Sequence, residues 1–381
     1  MKFFHLSDLH IGLKLINRDL REDQEYIFHQ IAELAIRERP DALVIAGDIY
    51  DKAVPSAEAM EVLDGFIEEL TQNLPELVIM MISGNHDSSE RLSFGRNLFK
   101  RSNLYIASQF NQEIEKITIK EDGYNINFYM LPFVKPAYIN HVLKIQTETY
   151  EECFKHLMEQ VKINEDETNI LLAHQFVTVG KNSPELSDSE TSSLGGIDNI
   201  DYRLFDAFDY VALGHIHKPQ AMGREMVRYA GSILKYSFSE IHKDKQATIL
   251  TISKNKQISL SHHLLKPLRD MREMECSLES LLKRKCEIGN EEDYMHVILT
   301  DEEQILDAIG KVRTVYPNVM QISFKNRRHM MQYETIQMKE NQIADQNPME
   351  LFEQFYKMQN HIDLDEKRAQ MAISIFEEVI R

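Results

Sequence analysis

Five short apolar segments of this chain each end in polar side chains that can bind metals or move protons. The polar clusters are Asp-x-His, Gly-Asp-x-x-Asp, Gly-Asn-His-Asp, a single His, and Gly-His-x-His. Any one of them is common in turns and would be weak support for a site. All five together predict one functional site built from distant parts of the chain. Its candidate ligands are Asp8, His10, Asp48, Asn85, His174, His215 and His217.

The chemistry of these side chains points to metal ions. Carboxylate, imidazole and amide groups without thiolates suit divalent ions such as Mn²⁺, Fe²⁺, Zn²⁺ or Mg²⁺. Seven such groups are too many for one four-coordinate site and fit two ions that share a bridging carboxylate. Asp8 and Asp48 would neutralise only half of the charge of two divalent ions. The remaining positive charge favours an anionic substrate, such as a phosphodiester with its attacking hydroxide.

His86 stands beside the candidate ligand Asn85 and is left over from the ligand set. Because neighbouring side chains diverge at the end of a strand, we expect His86 to point toward the substrate. There it could protonate the leaving oxygen or stabilise the transition state. Asp87 is expected to orient His86 through a carboxylate–imidazole bond, and Asp51 to play a similar supporting part.

The segments that precede the clusters are typical of buried strands. They are nearly continuous apolar runs of about five residues, as expected for strands covered on both faces. Stretches with helical periodicity lie between them, at 23–39 and 56–70. In layered α/β folds ligands collect at the carboxyl ends of strands, which is where all five clusters fall. The predicted strands are 2–6, 42–46, 78–82, 169–173 and 210–213.

Composition is that of an ordinary globular protein. Of 381 residues, 43% are hydrophobic and 27% are charged. The longest apolar run, 77–82, is too short to cross a bilayer, so no membrane association is expected. The three cysteines, Cys153, Cys276 and Cys286, form no CxxC pair. That usage predicts a reducing compartment, the cytoplasm, and no thiolate metal site.

The chain is strongly acidic, with a formal net charge of −18. Such a chain does not attract a phosphate backbone through its overall charge. If the substrate is a nucleic acid, positive potential must be local or come from metals or a partner. Local basic clusters occur at Arg91, Arg96, Lys100 and Arg101, and at Lys325, Arg327 and Arg328.

Composition changes along the chain predict three parts: a main domain at 1–265, a small α+β domain at 270–335, and C-terminal helices at 345–381. In the small domain we expect helices at 277–284 and 302–314 and strands at 295–299 and 319–324. The segment 181–199 is rich in Ser, Asp, Glu and Gly and predicts a solvated loop, with a direct role at the substrate as the alternative.

In order and type, the five clusters resemble the motifs of the calcineurin-like metallophosphoesterases. The resemblance covers about the first 240 residues. It implies a four-layer α/β/β/α sandwich, with a small α+β capping domain and a C-terminal helical pair. It also implies that Asp8, His10, Asp48 and His217 bind one metal, that Asp48, Asn85, His174 and His215 bind the other, and that His86 is catalytic.

Within that superfamily, the stretches 4–12, 214–220 and 229–240 resemble a group of DNA nuclease subunits. The resemblance implies a two-metal enzyme, with Mn²⁺ preferred, that acts as a 3'-5' double-strand exonuclease and as a single-strand and hairpin endonuclease. It further implies an ABC-type ATPase partner, whose coiled coil the C-terminal helices contact. A homodimer through the helical stretches after Asp51 and after Asp87, the latter at 91–100, is also implied. Two alternatives remain: a stand-alone phosphoesterase acting on nucleotides or phosphoproteins, and a non-catalytic scaffold.

Overall fold

The computed structural model of the chain describes residues 1–16, 18–121, 123–190, 198–286, 289–303 and 305–325, with seven further residues (352–353, 356–357, 364 and 368–369). The chain forms two compact units, one of residues 1–273 and 292–294, the other of residues 274–291 and 295–381. The three-part division at 1–265, 270–335 and 345–381 stays a prediction. The predicted C-terminal helical pair lies almost entirely outside the described residues.

The strands that the structure describes are, in chain order, β1 (Lys2–Leu6), β2 (Lys14–Leu15), β3 (Arg18–Asp19), β4 (Ala42–Ala46), β5 (Val78–Ile82), β6 (Leu104–Ala107), β7 (Glu115–Glu121), β8 (Tyr124–Leu131), β9 (Thr168–His174), β10 (Val177–Thr178), β11 (Ile200–Asp201), β12 (Tyr210–Gly214), β13 (Gln220–Met222), β14 (Arg224–Tyr229), β15 (Lys245–Ile252), β16 (Ile258–Leu265), β17 (Met271–Cys276), β18 (Tyr294–Leu299) and β19 (Val319–Phe324).

The α-helices of the described ranges are α1 (Arg21–Glu38), α2 (Ala57–Asn73), α3 (Ser89–Leu92), α4 (Arg96–Phe99), α5 (Pro136–Leu143), α6 (Tyr150–Glu159), α7 (Leu278–Leu282) and α8 (Ala308–Arg313). All five predicted strands and both long predicted helices of the main domain are confirmed, to within a few residues. Ser56 caps α2 by accepting a hydrogen bond from the Ala59 N–H at 3.3 Å.

Two six-stranded sheets build the first unit. The first sheet has the order β16-β15-β1-β4-β5-β6, with β1, β4, β5 and β6 parallel. The second has the order β13-β14-β12-β9-β8-β7, with β14, β12, β9 and β8 parallel. The five strands that lead into the polar clusters (β1, β4, β5, β9 and β12) all belong to these parallel sets. Their carboxyl ends therefore meet where the two sheets face each other.

One apolar core lies between the two sheets. Phe3, Val44 and Met80 enter it from the first sheet and are fully buried. Phe128 and Tyr210 enter from the second sheet, and the rings of Phe3 and Phe128 meet edge to face at 5.4 Å. Side chains on alternate positions of a strand point to opposite faces, so each sheet needs a second cover.

Helices supply that second cover. On the second sheet, Phe154 and Leu157 of α6 pack in one core with Leu171 and Val211. At the first sheet, α1 and α2 pack on each other and α1 contacts β16. Leu43, on the helix-facing side of β4, is fully buried. The layers therefore run helix, sheet, sheet, helix, and the predicted sandwich is confirmed.

One predicted helix is broken. The stretch Arg91 to Lys100 was expected to be helical, but α3 ends at Leu92 and α4 begins at Arg96. Gly95, between them, has a φ of +76°, which is incompatible with a continuous right-handed helix.

The second unit contains the parallel pair β18 and β19 together with α7 and α8. Leu281, Val297 and Val312 form its core. The strands predicted at 295–299 and 319–324 and the helix at 277–284 are confirmed. The helix expected from residue 302 begins only at Ala308, where the Asp307 side chain accepts a hydrogen bond from the Gly310 N–H.

Candidate metal centre

The seven predicted ligands come together at the carboxyl ends of the parallel strands. Six of them, all but Asn85, form overlapping groups together with His86, and within each group the ligand atoms lie within 4.8 Å of one another. Asp48 belongs to two of these groups. The groups are Asp8, His10 and His217; His10, Asp48 and His86; and Asp48, His174 and His215.

The first half of the centre consists of Asp8, His10 and His217. The Nε2 atoms of His10 and His217 face each other at 3.1 Å. The Asp8 carboxylate accepts hydrogen bonds from the neighbouring Ser7 hydroxyl and, at 2.9 Å, from the His215 N–H. Asp8 is thereby fixed to the loop that carries His217.

The second half consists of Asp48, Asn85, His174 and His215. His174 Nε2 lies 3.2 Å from Asp48 Oδ2 and 3.0 Å from Asn85 Oδ1. His215 Nδ1 lies 2.9 Å from the same Asn85 oxygen. Two imidazoles, a carboxylate and an amide oxygen thus point at a common space.

Close packing of the two sheets sets the second half. His174 Nδ1 donates to the Ala46 carbonyl oxygen at 2.8 Å, which joins the end of β9 to the end of β4. Gly84 leaves room for this arrangement. A Cβ on Gly84 would lie 2.1 Å from Asp48 Oδ1, so the position does not admit a side chain without displacing the carboxylate.

The ligand loops are held in an unusual backbone conformation. Asp8, His10, Asp48 and His215 have φ values of 52°, 44°, 49° and 104°. Residues other than glycine rarely adopt positive φ, and each instance costs about 1–3 kcal/mol. Hydrogen bonds between the loops, from Asp8 N–H to Gly47 at 3.1 Å and from His10 N–H to Asp48 at 3.0 Å, maintain it. Strain of this kind is typical of functional sites.

Burial keeps several of the imidazoles neutral. It lowers the pKa of His10 to about 4 and that of His215 to about 3, and it lowers the pKa of His217 well below its ordinary value. At neutral pH each of these rings therefore has a nitrogen lone pair for a cation. Burial also raises the pKa of Asp8 to about 7 in the absence of metal.

Asp48 and His174 behave as an ion pair in the metal-free protein. Burial acts to raise the pKa of Asp48 and to lower that of His174. The contact between the two groups outweighs burial in both cases. It raises the pKa of His174 to about 9 and holds the pKa of Asp48 well below its usual range.

The donor set fits divalent cations. Two imidazole nitrogens 3.1 Å apart, as in His10 and His217, require a proton or a cation between them. His10 Nδ1 is buried and has no hydrogen-bond partner among the described residues. With two carboxylates and no thiolate, the site has the oxygen and nitrogen ligands that such ions bind.

The contacts of His86 correct one prediction. The Asp87 carboxylate does not contact His86 but accepts from the backbone N–H groups of Ile49, Tyr50 and Gly84 at 2.8–3.0 Å. His86 Nδ1 instead donates to the Asp51 main-chain oxygen at 2.9 Å. The local sequence could not reveal this, because backbone partners have no side-chain signature.

Tyr236 is a member of the site that the motifs did not include. Its hydroxyl donates to the Leu9 carbonyl oxygen at 2.5 Å. Its ring meets those of His10 and His217 at 5.5 and 5.8 Å between centroids. Tyr236 lies in the stretch 229–240, which resembles the nuclease subunits. That resemblance marked the stretch as characteristic of the family but did not indicate that Tyr236 contacts the candidate ligands.

A family model described as calcineurin-like phosphoesterase matches residues 1–219. A second, described as type 5 capsule protein repressor C-terminal domain, matches residues 267–360. The chain is 35% identical over 361 residues to the SbcD subunit of the nuclease SbcCD from Staphylococcus epidermidis, covering 94% of this chain and 93% of the relative. The chain belongs to the SbcD family of calcineurin-like phosphoesterases. The resemblance first seen in the stretches 4–12, 214–220 and 229–240 is thus confirmed along nearly the whole length of the chain.

Solved structures give more distant matches. GAP50, the anchor in the inner membrane complex of Plasmodium, aligns at a TM-score of 0.43 and 13% identity, covering 71% of this chain and 90% of that one. A dimetal phosphatase from Danio rerio aligns at a TM-score of 0.40 and 11% identity, covering 70% and 98%. Among the described residues, no helix is long and apolar enough to cross a membrane.

Proposed function

We propose that the chain is the nuclease subunit of an SbcCD-type complex and cleaves phosphodiester bonds of DNA at a centre of two divalent ions. The observation that carries this proposal is the position of Asp48 between the two halves, with Oδ2 3.7 Å from His10 Nε2 and 3.2 Å from His174 Nε2. One carboxylate oxygen close to an imidazole of each half is the arrangement that two ions with a bridging ligand require. The length of the match to the SbcD subunit of the nuclease SbcCD supports DNA as the substrate.

In this proposal each half of the centre holds one ion, and Asp48 contributes to both. Asp8, His10, Asp48 and His217 would hold the first ion, and Asp48, Asn85, His174 and His215 the second. Paired divalent ions activate water as a nucleophile and stabilise the entering and leaving oxygens. We propose Mn²⁺ as the preferred ion, as the resemblance to the nuclease subunits implies; the same ligands also suit Fe²⁺, Zn²⁺ and Mg²⁺.

His86 is proposed as the residue that acts on the leaving group. Its Nδ1–H is engaged by the Asp51 main-chain oxygen, so Nε2 is the nitrogen left for the substrate. The His86 ring packs edge-on against His10, with 4.8 Å between centroids. A proton on Nε2 can therefore be passed to the leaving oxygen beside the metals.

The test is His86→Ala, assayed on duplex and hairpin DNA with Mn²⁺. We expect cleavage to fall by about 10²–10⁴-fold, because general acid catalysis contributes that much. Both ions should still bind, as measured by titration calorimetry. His29→Ala, at an exposed histidine paired with Glu69, is the control and should cleave normally. Full activity of His86→Ala would remove this residue from the mechanism. If the wild-type protein hydrolysed nucleotides but not DNA, the stand-alone phosphoesterase would be favoured instead.

The partner we propose is an SbcC-type ATPase that delivers DNA ends and hairpins to the site, in a heterotetramer with two copies of this chain. The net charge of −18 supports this dependence, since the chain alone repels a phosphate backbone. We expect weak DNA binding alone and much tighter binding with the ATPase, in a titration at moderate salt. Equal affinity in both cases would contradict the proposal. A complex on DNA implies the cytoplasm as its location.

The proposed homodimer has a candidate surface at residues 94–99, which include α4. Phe94 and Leu98 are 84% and 66% exposed, and Phe99 is 39% exposed. Large apolar side chains grouped on a surface mark interaction sites. We expect Phe94→Glu to convert a dimer to a monomer in sedimentation velocity. Leu264→Glu, 54% exposed on β16 and outside both segments of the proposed interface, should leave the dimer intact. A wild-type protein that is monomeric at micromolar concentration would contradict this assignment.

A further inference from the structure

The acidic segment 181–190, which the sequence predicts to be a solvated loop, reaches the metal centre. His217 is held by four contacts from outside the ligand set, and two of them come from this segment. The Glu190 carboxylate accepts from the His217 N–H, and Ser189 Oγ lies 2.8 Å from His217 Nδ1. Lys245 Nζ and the Ser232 N–H both donate to the His217 carbonyl oxygen, at 2.9 and 3.1 Å.

The Ser189 hydroxyl determines the tautomer of His217. A serine hydroxyl has one proton, and Ser189 donates it to Glu240 Oε1 at 2.9 Å. Its oxygen must then accept from His217, so the ring proton sits on Nδ1. Nε2, the nitrogen that faces His10, is left with its lone pair for a cation.

Glu240 is built to hold this arrangement. Its side chain is fully buried and forms an ion pair with Lys245, which is 4% exposed. Ser237 Oγ and the Tyr236 N–H also donate to Glu240 Oε1, at 3.2 and 3.3 Å. Lys245 Nζ donates to the other oxygen, Oε2, so both oxygens of this carboxylate act as acceptors and the Ser189 hydroxyl is the donor.

The other half of the centre is held differently. His174 Nδ1 donates directly to a main-chain oxygen, that of Ala46. No substitution of a side chain can remove that acceptor. The orientation of His217, in contrast, depends on a hydroxyl and a carboxylate that are distant in sequence.

We propose that Ser189 and Glu240 are positioning residues that fix His217 with Nε2 directed at the metal of the first half. The inference rests on the proposed metal centre. Groups that hold a metal-binding histidine by its other nitrogen set both its tautomer and its orientation, and their loss typically weakens metal binding about 10–100-fold. The segment 181–190 is thus part of the site.

The experiment compares Ser189→Ala with Ser189→Thr and Ser237→Ala. Ser237→Ala is a matched control, because Ser237 donates to the same Glu240 oxygen but is not a partner of His217. Titration of each full-length variant with Mn²⁺ measures the number of ions and the affinity of each. We expect Ser189→Ala to bind one ion normally and the other about 10–100-fold more weakly. Ser189→Thr should restore wild-type binding, and Ser237→Ala should retain it.

A second measurement needs no metal. ¹⁵N NMR of the histidine-labelled apo protein reports the tautomer of His217, which is assigned by comparison with His217→Gln. We expect the Nδ1–H form in wild type and a shift toward Nε2–H in Ser189→Ala. An unchanged tautomer, or Mn²⁺ binding by Ser189→Ala equal to that of wild type, overturns the proposal. A wild type that binds fewer than two ions while the tautomer shifts overturns the two-metal function instead.

Discussion

The two halves of the metal centre are built by different means. In the second half, His174 is the last residue of β9 and is held by the main chain at the end of β4, through the Ala46 carbonyl oxygen. In the first half, His217 lies in a loop beyond β12, and side chains from residues 189–245 hold it. His174 and His217 are both buried, so burial does not account for the difference.

The difference shows that side-chain substitutions can alter the geometry of one half of a site while the fold itself maintains the other half. Strand pairing fixes the second half: Gly214 is in register with His174, and Ala46 with Ile82. Such pairing is part of the core of the fold, so it cannot change unless the fold changes. Loop side chains can be substituted one at a time, so the first half is where metal affinity can vary among related chains.

The largest effect is expected where the two halves meet. Asp48→Asn keeps the shape of the side chain but removes the charge shared by both ligand groups. We expect loss of both ions in Mn²⁺ titrations and DNA cleavage reduced to background. Retention of one ion at full affinity would show that the halves are independent, and would break the comparison.

A smaller and asymmetric effect is expected from removing one histidine of each half. His217→Ala and His174→Ala should each reduce Mn²⁺ stoichiometry from two to one. The ion that remains should have different ligands in the two variants, since His217→Ala retains the second half and His174→Ala retains the first. Electron paramagnetic resonance checks this, because the coupling between paired ions disappears in both variants while the single-ion spectra differ. Identical spectra would mean that the two halves bind in equivalent surroundings.

The smallest effect concerns His5, which joins the strands beneath the two halves. Its Nδ1 lies 2.9 Å from the Tyr210 hydroxyl, and its Nε2 lies 3.2 Å from the Leu213 carbonyl oxygen on β12. Burial lowers the pKa of His5 to about 3 from an ordinary value of 6.5. Between those values the unfolded chain binds a proton that the folded chain does not, so folding stability falls as the pH falls.

His5→Gln should remove this dependence. We expect the free energy of unfolding of the metal-free variant to fall less steeply than that of wild type below pH 6.5, by up to about 1.4 kcal/mol per pH unit. Urea unfolding at several pH values measures the two slopes. Parallel curves for His5→Gln and wild type would show that His5 titrates equally in both states.

Much of the fold was predictable because its signals are local. A run such as 42–46 is apolar throughout, and only a strand covered on both faces accommodates it. The helix α2 has both an apolar face and a capping serine, Ser56, so both its existence and its start could be predicted. The break at Gly95 was missed because a single glycine within a helical pattern does not by itself indicate a positive φ.

The candidate ligands were predictable for a related reason. The side chains that hydrogen-bond to those ligands were not predictable. Asp8 and Asp48 lie two residues beyond β1 and β4, and His174 ends β9, so the position of the strand largely sets the position of the side chain. Ser189 and Glu240 are 51 residues apart and contact each other only in the folded chain.

The sequence by itself determined the five strands that lead into the polar clusters, the polar residues at their ends and the family, because each depends on neighbours in the chain. Tertiary structure alone decided which nitrogen of each histidine is free, which loops adopt positive φ, and which carboxylate supports which ring. These depend on hydrogen bonds between segments that only close packing of the two sheets brings within about 3 Å of each other.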